Sequence, residues 1–326
     1  MFIPAPFSPA DLTFCIEPLV LQGHNHIAMN FTHLLACLSV SSLSLVTSCK
    51  QSAPNTESTD TSTSPEEYIL YVEAQYRPGA IYTKTSQGGM ENIQMTIQTR
   101  GQSINGLMSR KSQEIEIITI DNDTQHTIFY ERKDAVTDQT LNGQKSPTTT
   151  EVEPLHKKTV IMTKNSEGLW NASLKSGQMT DEIQEALDQE AKSYNNPEYK
   201  YMYGTEPRKI GDTWKVDPSF IPTFTGDGAQ NVTGSVSIKF DSVRKHNGLN
   251  CAVLNVDFDL QGNHKNGVQM KMRGTAEVLR SLDDHIDTGI SLQGTITANG
   301  DIPQGESTIE MSGPFYMKGK ADIKTP

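Results

Sequence analysis

Apolar and polar residues alternate with a period of two over five long stretches of the C-terminal half. In the first, Val232, Val236, Ile238 and Phe240 share one face, with Thr233, Ser235, Ser237 and Lys239 on the other. In the second, Ala252, Leu254, Val256, Phe258 and Leu260 alternate with Val253, Asn255, Asp257 and Asp259. Val268, Met270, Met272, Ala276 and Val278 follow, then Ile286, Ile290, Leu292, Ile296 and Ala298, then Ile309, Met311, Phe315 and Met317. The apolar set is even-numbered in the first four stretches and odd-numbered in the fifth. This is the signature of half-buried antiparallel strands. Asn247-Gly248 and Asn266-Gly267 separate the first three stretches, and Asn299-Gly300 ends the fourth. Asn-Gly supplies the positive φ angles of tight hairpins, so a meander is expected.

The stretches are longer than the usual strand of about 5–6 residues. Gly274, Gly289, Gly294 and Gly313 interrupt them, and glycine within a strand marks a bulge or bend. The expected fold is therefore mainly β, a β-rich α+β fold: a long antiparallel meander forming a curved sheet or half-open barrel. The N-terminal half is less regular. Strands are expected at 68–76, 81–85, 93–98, 115–120 and 127–131, with turns at Arg77-Pro78-Gly79 and Gly88-Gly89. Asn105-Gly106 and Asn142-Gly143 suggest further hairpin connections. One helix is predicted over about 180–194. Thr180 caps it, Asp181 and Glu182 suit its positive end, and Ile183, Ala186, Leu187 and Tyr194 form its apolar stripe. Packed on the sheet, it would cover one opening or one face.

Ahead of the β-rich region, Leu34 to Leu45 is apolar and uncharged, and Val46-Thr47-Ser48-Cys49 follows it. The order resembles the lipobox of bacterial lipoproteins, which implies cleavage before Cys49 and lipid attached to it. No Lys or Arg precedes the apolar run, and Met1 lies far upstream. A start at Met29 removes the second departure, leaving 1–28 as a misannotated extension and 29–48 as the signal peptide. Leu34-Leu35-Ala36-Cys37 also fits the box but leaves almost no hydrophobic segment from Met29. Residues 49–67 are rich in Ser, Thr, Asn and Pro and read as a flexible tether. Residues 68–326 then form a single envelope domain. Lipoproteins of this kind with aspartate after the cysteine stay in the inner membrane. Lys50 occupies that place here, so the resemblance implies the outer membrane.

The segment Pro207-Arg208-Lys209-Ile210-Gly211-Asp212-Thr213-Trp214 is similar to one in uncharacterised bacterial lipoproteins and envelope proteins. Some of these resemble the lipoprotein carriers LolA and LppX, half-open barrels that hold acyl chains against a helix. The same octapeptide also reads as a turn that plants Trp214 in the core.

From Cys49 onward the chain carries 28 basic and 37 acidic residues, a net charge of −9. That balance lacks the concentrated basic face of a nucleic-acid binder. It also leaves membrane attachment to the lipid anchor. Cys251 is the one cysteine beyond Cys49, so no internal disulfide is available; it reads as a packing residue or an isolated nucleophile. No cofactor motif is present. His126, His156, His246, His264 and His285 show no metal-ligand spacing, and Asp283-Asp284-His285 lies in an expected turn. Asp257 and Asp259 share a strand face, as a carboxylate pair or as solvated acids. There is no Gly-x-Ser-x-Gly elbow and no phosphate loop. Met270, Met272, Met311 and Met317 fall on the apolar faces of neighbouring strands. They could line a pocket for lipid tails or fill an irregular core. The sequence thus points to a non-enzymatic, membrane-anchored binding lipoprotein with a lipid or another apolar envelope ligand. An envelope hydrolase assembled from distant residues and an adhesin or assembly scaffold are the alternatives.

Overall fold

The structure, a computed structural model, describes residues 66–72, 77–99, 101–195, 198–218, 221, 229–264, 267–301 and 307–325. In chain order the strands are β1 (Glu67–Tyr68), β2 (Ile81–Thr99), β3 (Gln102–Asn122), β4 (Gln125–Leu141), β5 (Gln144–Lys145), β6 (Thr149–Val152), β7 (Thr159–Lys164) and β8 (Trp170–Leu174). Helices α1 (Asp181–Asn195) and α2 (Glu198–Tyr203) follow. The chain then forms β9 (Arg208–Lys209), β10 (Thr213–Lys215), β11 (Ala229–His246), β12 (Leu249–His264), β13 (Gln269–Ser281), β14 (Asp287–Asp301) and β15 (Ser307–Lys324).

One antiparallel sheet runs β10-β11-β12-β13-β14-β15-β2-β3-β4-β7-β8, with β5 and β6 also paired to β4. The last strand of the chain thus lies beside the first long one, joining the two halves into a single surface. The sheet is unclosed, ending on short strands, which limits the unpaired edge that each end offers. At β8 the Asn195 side chain accepts from the Trp170 N–H and donates to its carbonyl, both at 2.8 Å. The C-terminus of α1 is thereby tied to the edge strand.

The five alternating stretches are β11 to β15. Most of their expected inward positions are buried, among them Val236, Leu254, Val256, Met272, Leu292, Met311 and Phe315, while Val232 and Ile290 are half-buried. Asn247 and Gly248 take φ of 51° and 83° and turn β11 into β12. Near the middle of the sheet, Phe258, Gly274, Gly294 and Phe315 form one cross-strand row. Three strand spacings span about 14 Å, yet the two phenyl centroids stand 6.3 Å apart. A Cβ at Gly274 would lie 2.7 Å from the Phe258 ring, and one at Gly294 2.9 Å from the Phe315 ring. The rings lean over bare backbone, and the sheet curls around them.

Two expected breaks in the strands are not breaks: Gly88-Gly89 lies within β2 and Asn105-Gly106 within β3, whereas Asn299-Gly300 falls at the end of β14 as expected. A Cβ on Gly89 would come within 2.6 Å of the Arg110 carbonyl oxygen, and one on Gly106 within 2.6 Å of that of Thr140. These glycines admit close strand approach rather than reversal. The expected strand at 68–76 reduces to β1; residues 69–72 are not strand, and 73–76 lie outside the described residues.

The expected helix is present, with Thr180 Oγ1 accepting from the Ile183 N–H at 3.3 Å. Its buried Ile183, Leu187 and Tyr194 meet Ile118, Ile128, Tyr130 and Trp170 in a core of their own. The larger core lies on the inward face of β11 to β15, β2 and part of β3. Helix α2 was not expected. Its Tyr199 and Tyr203, four residues apart, stack at 5.9 Å.

Candidate functional site

All four methionines singled out by the sequence lie on the inward face, exposed by 3 to 6%. Register brings three more to them. Met270, Ala298, Met311 and Met95 form one row that continues to Gly106; Met108 lies on the adjoining row and Met90 on the one beyond. The seven belong to one core cluster. Met317 lies in a row running Ile238, Val256, Ala276, Leu292, Met317. The three added methionines sit in the less regular N-terminal half, where no period marked their face.

One end of this face is closed by chain outside the sheet. Leu70, Tyr203, Val216 and Ile221 pack on it. Arg280, 1% exposed, reaches inward there. Its Nε donates to the Leu70 carbonyl at 2.5 Å and its Nη1 to Asp287 at 2.8 Å. The Tyr203 hydroxyl donates to the other Asp287 oxygen at 2.8 Å, and the guanidinium lies 4.2 Å from the Tyr203 ring centroid. Asp212 accepts from the Lys209 N–H at 2.8 Å, and the Gly211 N–H donates to the Phe240 carbonyl at 2.7 Å. This turn directs Trp214 against the same core, where its Nε1 donates to the Met202 carbonyl at 2.9 Å. The octapeptide is a structural turn.

Along β2, β3 and β4 the inward face becomes polar. Gly319, Ser86, Glu114 and Lys133 share one row, and Ala321, Lys84, Glu116 and Tyr130 the next. Lys133 Nζ lies 2.6 Å from Glu114 and 3.7 Å from Glu153, and Lys84 Nζ lies 3.8 Å from Glu116. Burial, followed by the nearby Glu114 and Glu190 carboxylates, pushes the Glu116 carboxyl up to about 8. Further along, Arg110 donates from Nη1 to Thr137 Oγ1 at 3.2 Å and from Nη2 to Glu151 at 2.7 Å.

Two groups of opposite sign contribute to the pH dependence between pH 4 and 8. Folded Glu116 keeps a proton that the unfolded chain releases from about 4.5 upward, so stability falls as pH rises toward 8. His126, packed 4.5 Å from Trp170, is lowered by burial to about 4. Its sign is opposite: stability falls as pH drops from 6.5 through 4. The two oppose each other below 6.5, which leaves pH 6.5–8 to Glu116. Glu116→Gln should remove most of the decline in denaturant midpoint across that window and raise stability at pH 9 by about 2 kcal/mol. An unchanged slope would show that the proton sits elsewhere.

The remaining sequence candidates are not brought together. Asp257 and Asp259 are exposed, and Asp259 pairs with Arg273 at 2.7 Å. Cys251 is fully buried, 3.4 Å from Thr288 Oγ1, and burial raises its thiol, which disfavours a nucleophilic thiolate. Asp284 is engaged by Arg77 at 2.9 Å. His246 is half-buried at the end of β11. Among the described residues, no group of three His, Cys, Asp or Glu could hold a metal ion, and no helix is long and apolar enough to cross a membrane. Cys49, its lipobox and most of the tether lie outside the described residues.

The chain matches no protein-family model and no curated protein. Among solved structures it is similar to lipovitellin, in a study of lipid–protein interactions, at TM-score 0.36 and 9% identity over 77% of this chain and 26% of that one. The chain therefore spans about a quarter of lipovitellin. It is similar to the translocator domain of autotransporter NalP from Neisseria meningitidis at TM-score 0.19 and 9% identity, over 75% of this chain and 89% of that one. A DUF1329 family protein from Desulfovibrio piger matches at TM-score 0.12 and 9% identity, over 76% of this chain and 85% of that one. Likenesses this distant decide neither fold nor function, which rest on the geometry above.

Proposed function

We propose that this chain is a non-enzymatic envelope lipoprotein, anchored through lipid on Cys49, that holds an apolar ligand of the lipid-tail class. The observation that carries this reading is the inward face of an unclosed sheet, which carries one continuous apolar core across β11 to β15 and the Met90–Ile97 part of β2 and is populated by seven methionines. Methionine's flexible, polarizable chain adapts to ligands of irregular shape. The lipobox supports the anchor, Lys50 supports the outer membrane, and the net charge of −9 speaks against nucleic acid as a partner.

Cys49→Ser should move the full chain from the membrane to the soluble fraction. Native mass spectrometry of that soluble form should show bound lipid that organic extraction removes. Retention in the membrane would move the anchor to Cys37 or another element, and a ligand-free spectrum in lipid-rich medium would argue against carriage. A second reading, an envelope hydrolase, has one observation on its side. Glu114, half-buried, and Glu116, buried, are neighbouring carboxyls displaced in opposite directions, an arrangement that separates acid and base roles. Turnover of acyl esters that is lost in Glu116→Gln would favour it.

A further inference from the structure

Among the described residues, Arg110 Nε and Gln139 Nε2 are buried donors on the inward face without an acceptor, and they lie close together. Arg110 is 3% exposed and Gln139 9%. Register makes them diagonal neighbours. Phe315, Met90, Arg110 and Thr137 occupy successive strands in one row, and Ile93, Met108 and Gln139 in the next. Each donor thus stands beside the methionine face, at the border where that face turns polar. Buried N–H groups without partners are costly and uncommon, and two side by side mark a place where an acceptor belongs.

We propose that Arg110 and Gln139 anchor the carbonyl of an ester-linked acyl chain, whose tail lies along the methionine face. This rests on the apolar-ligand reading and names the ligand's head. The carbonyl oxygen would accept from Arg110 Nε and Gln139 Nε2. From β3 to β13 is four strand spacings, roughly 19 Å along the sheet, the length scale of a long acyl chain. Charge selects an ester over a free fatty acid. Glu151 already neutralises Arg110 at 2.7 Å. The polar belt around them, among the described residues, sets Lys84, Lys133 and Arg110 against Glu114, Glu151, Glu153 and Glu190, while Glu116 keeps its proton below about pH 8. A neutral carbonyl enters that field without penalty, whereas a further carboxylate meets a surplus of its own sign.

The test uses the full-length Cys49→Ser protein and displacement of the fluorescent probe N-phenyl-1-naphthylamine. Dipalmitoylglycerol should displace the probe at lower concentration than palmitate. Gln139→Leu removes one donor at similar volume and should weaken dipalmitoylglycerol by about tenfold, the worth of one hydrogen bond to a buried group. Probe affinity should be unchanged, and thermal stability should hold or rise because an unpaired amide has gone. A merely structural Gln139 would instead lower the melting temperature and leave the ester's affinity alone, overturning the proposal. Palmitate binding as tightly as the ester would overturn the choice of ligand. Failure of the probe itself to bind would overturn the apolar-ligand reading, and this inference with it.

Discussion

Val256→Asp should abolish or nearly abolish folding of the β-rich domain. Val256 is 5% exposed, between Ile238 and Ala276 in a row without polar side chains from β11 to β15. An ionised carboxylate there finds no cation or donor of its own row. Its desolvation costs several kcal/mol, comparable with the whole stability of a domain, about 5–15 kcal/mol. Asp257 is the next residue and faces solvent. Asp257→Val should shift stability by only about 0.5 kcal/mol. Denaturant melts of the two variants check the register directly. A strand displaced by one residue would exchange their effects, because every side chain would change face.

Arg280→Met should cost about 3–5 kcal/mol, the usual penalty for removing one partner of a buried ion pair. Arg280 connects β13 to three other parts of the chain. It donates to the Leu70 carbonyl, pairs with Asp287 of β14, and lies against Tyr199 and Tyr203 of α2. The loss comes chiefly from stranding the Asp287 carboxylate, 8% exposed, and the Leu70 carbonyl. The double variant Arg280→Met with Asp287→Leu should therefore recover much of the stability lost by Arg280→Met alone. Tyr203→Phe removes only the hydroxyl donated to Asp287 and should cost about 1 kcal/mol. Equal losses in the single and double variants, read from urea midpoints, would show that the stranded charge is not the cause.

The C-terminal strands were legible in the sequence because each has one face in the core and one in solvent. A period of two then appears directly in residue type, as it does from Ala252 to Leu260. The N-terminal strands follow the same geometry but hide it. Lys84, Arg110, Glu114 and Glu116 occupy inward positions of β2 and β3 where the pattern calls for apolar residues, so the alternation dissolves. Gly88-Gly89 and Asn105-Gly106 then looked like reversals, although each lies inside a continuous strand. Local residue chemistry does not distinguish a glycine that turns a chain from one that lets two strands approach.

The ligand face shows the same division. Met270, Met272, Met311 and Met317 could be placed on one face from sequence, because their strands follow one another through hairpins. Met90, Met95 and Met108 joined them only through the pairing of β15 with β2, a contact between opposite ends of the chain. The carboxylates are the sharper case. Asp257 and Asp259 have the same two-residue spacing as Glu114 and Glu116. The first pair faces water and is unremarkable chemically; the second is enclosed, and burial with neighbouring acids carries Glu116 to about 8. Spacing along the chain determined that each pair shares a face. Which face is dry is a property of the curled sheet and what packs on it, because desolvation depends on what packs above a residue and not on its neighbours in sequence.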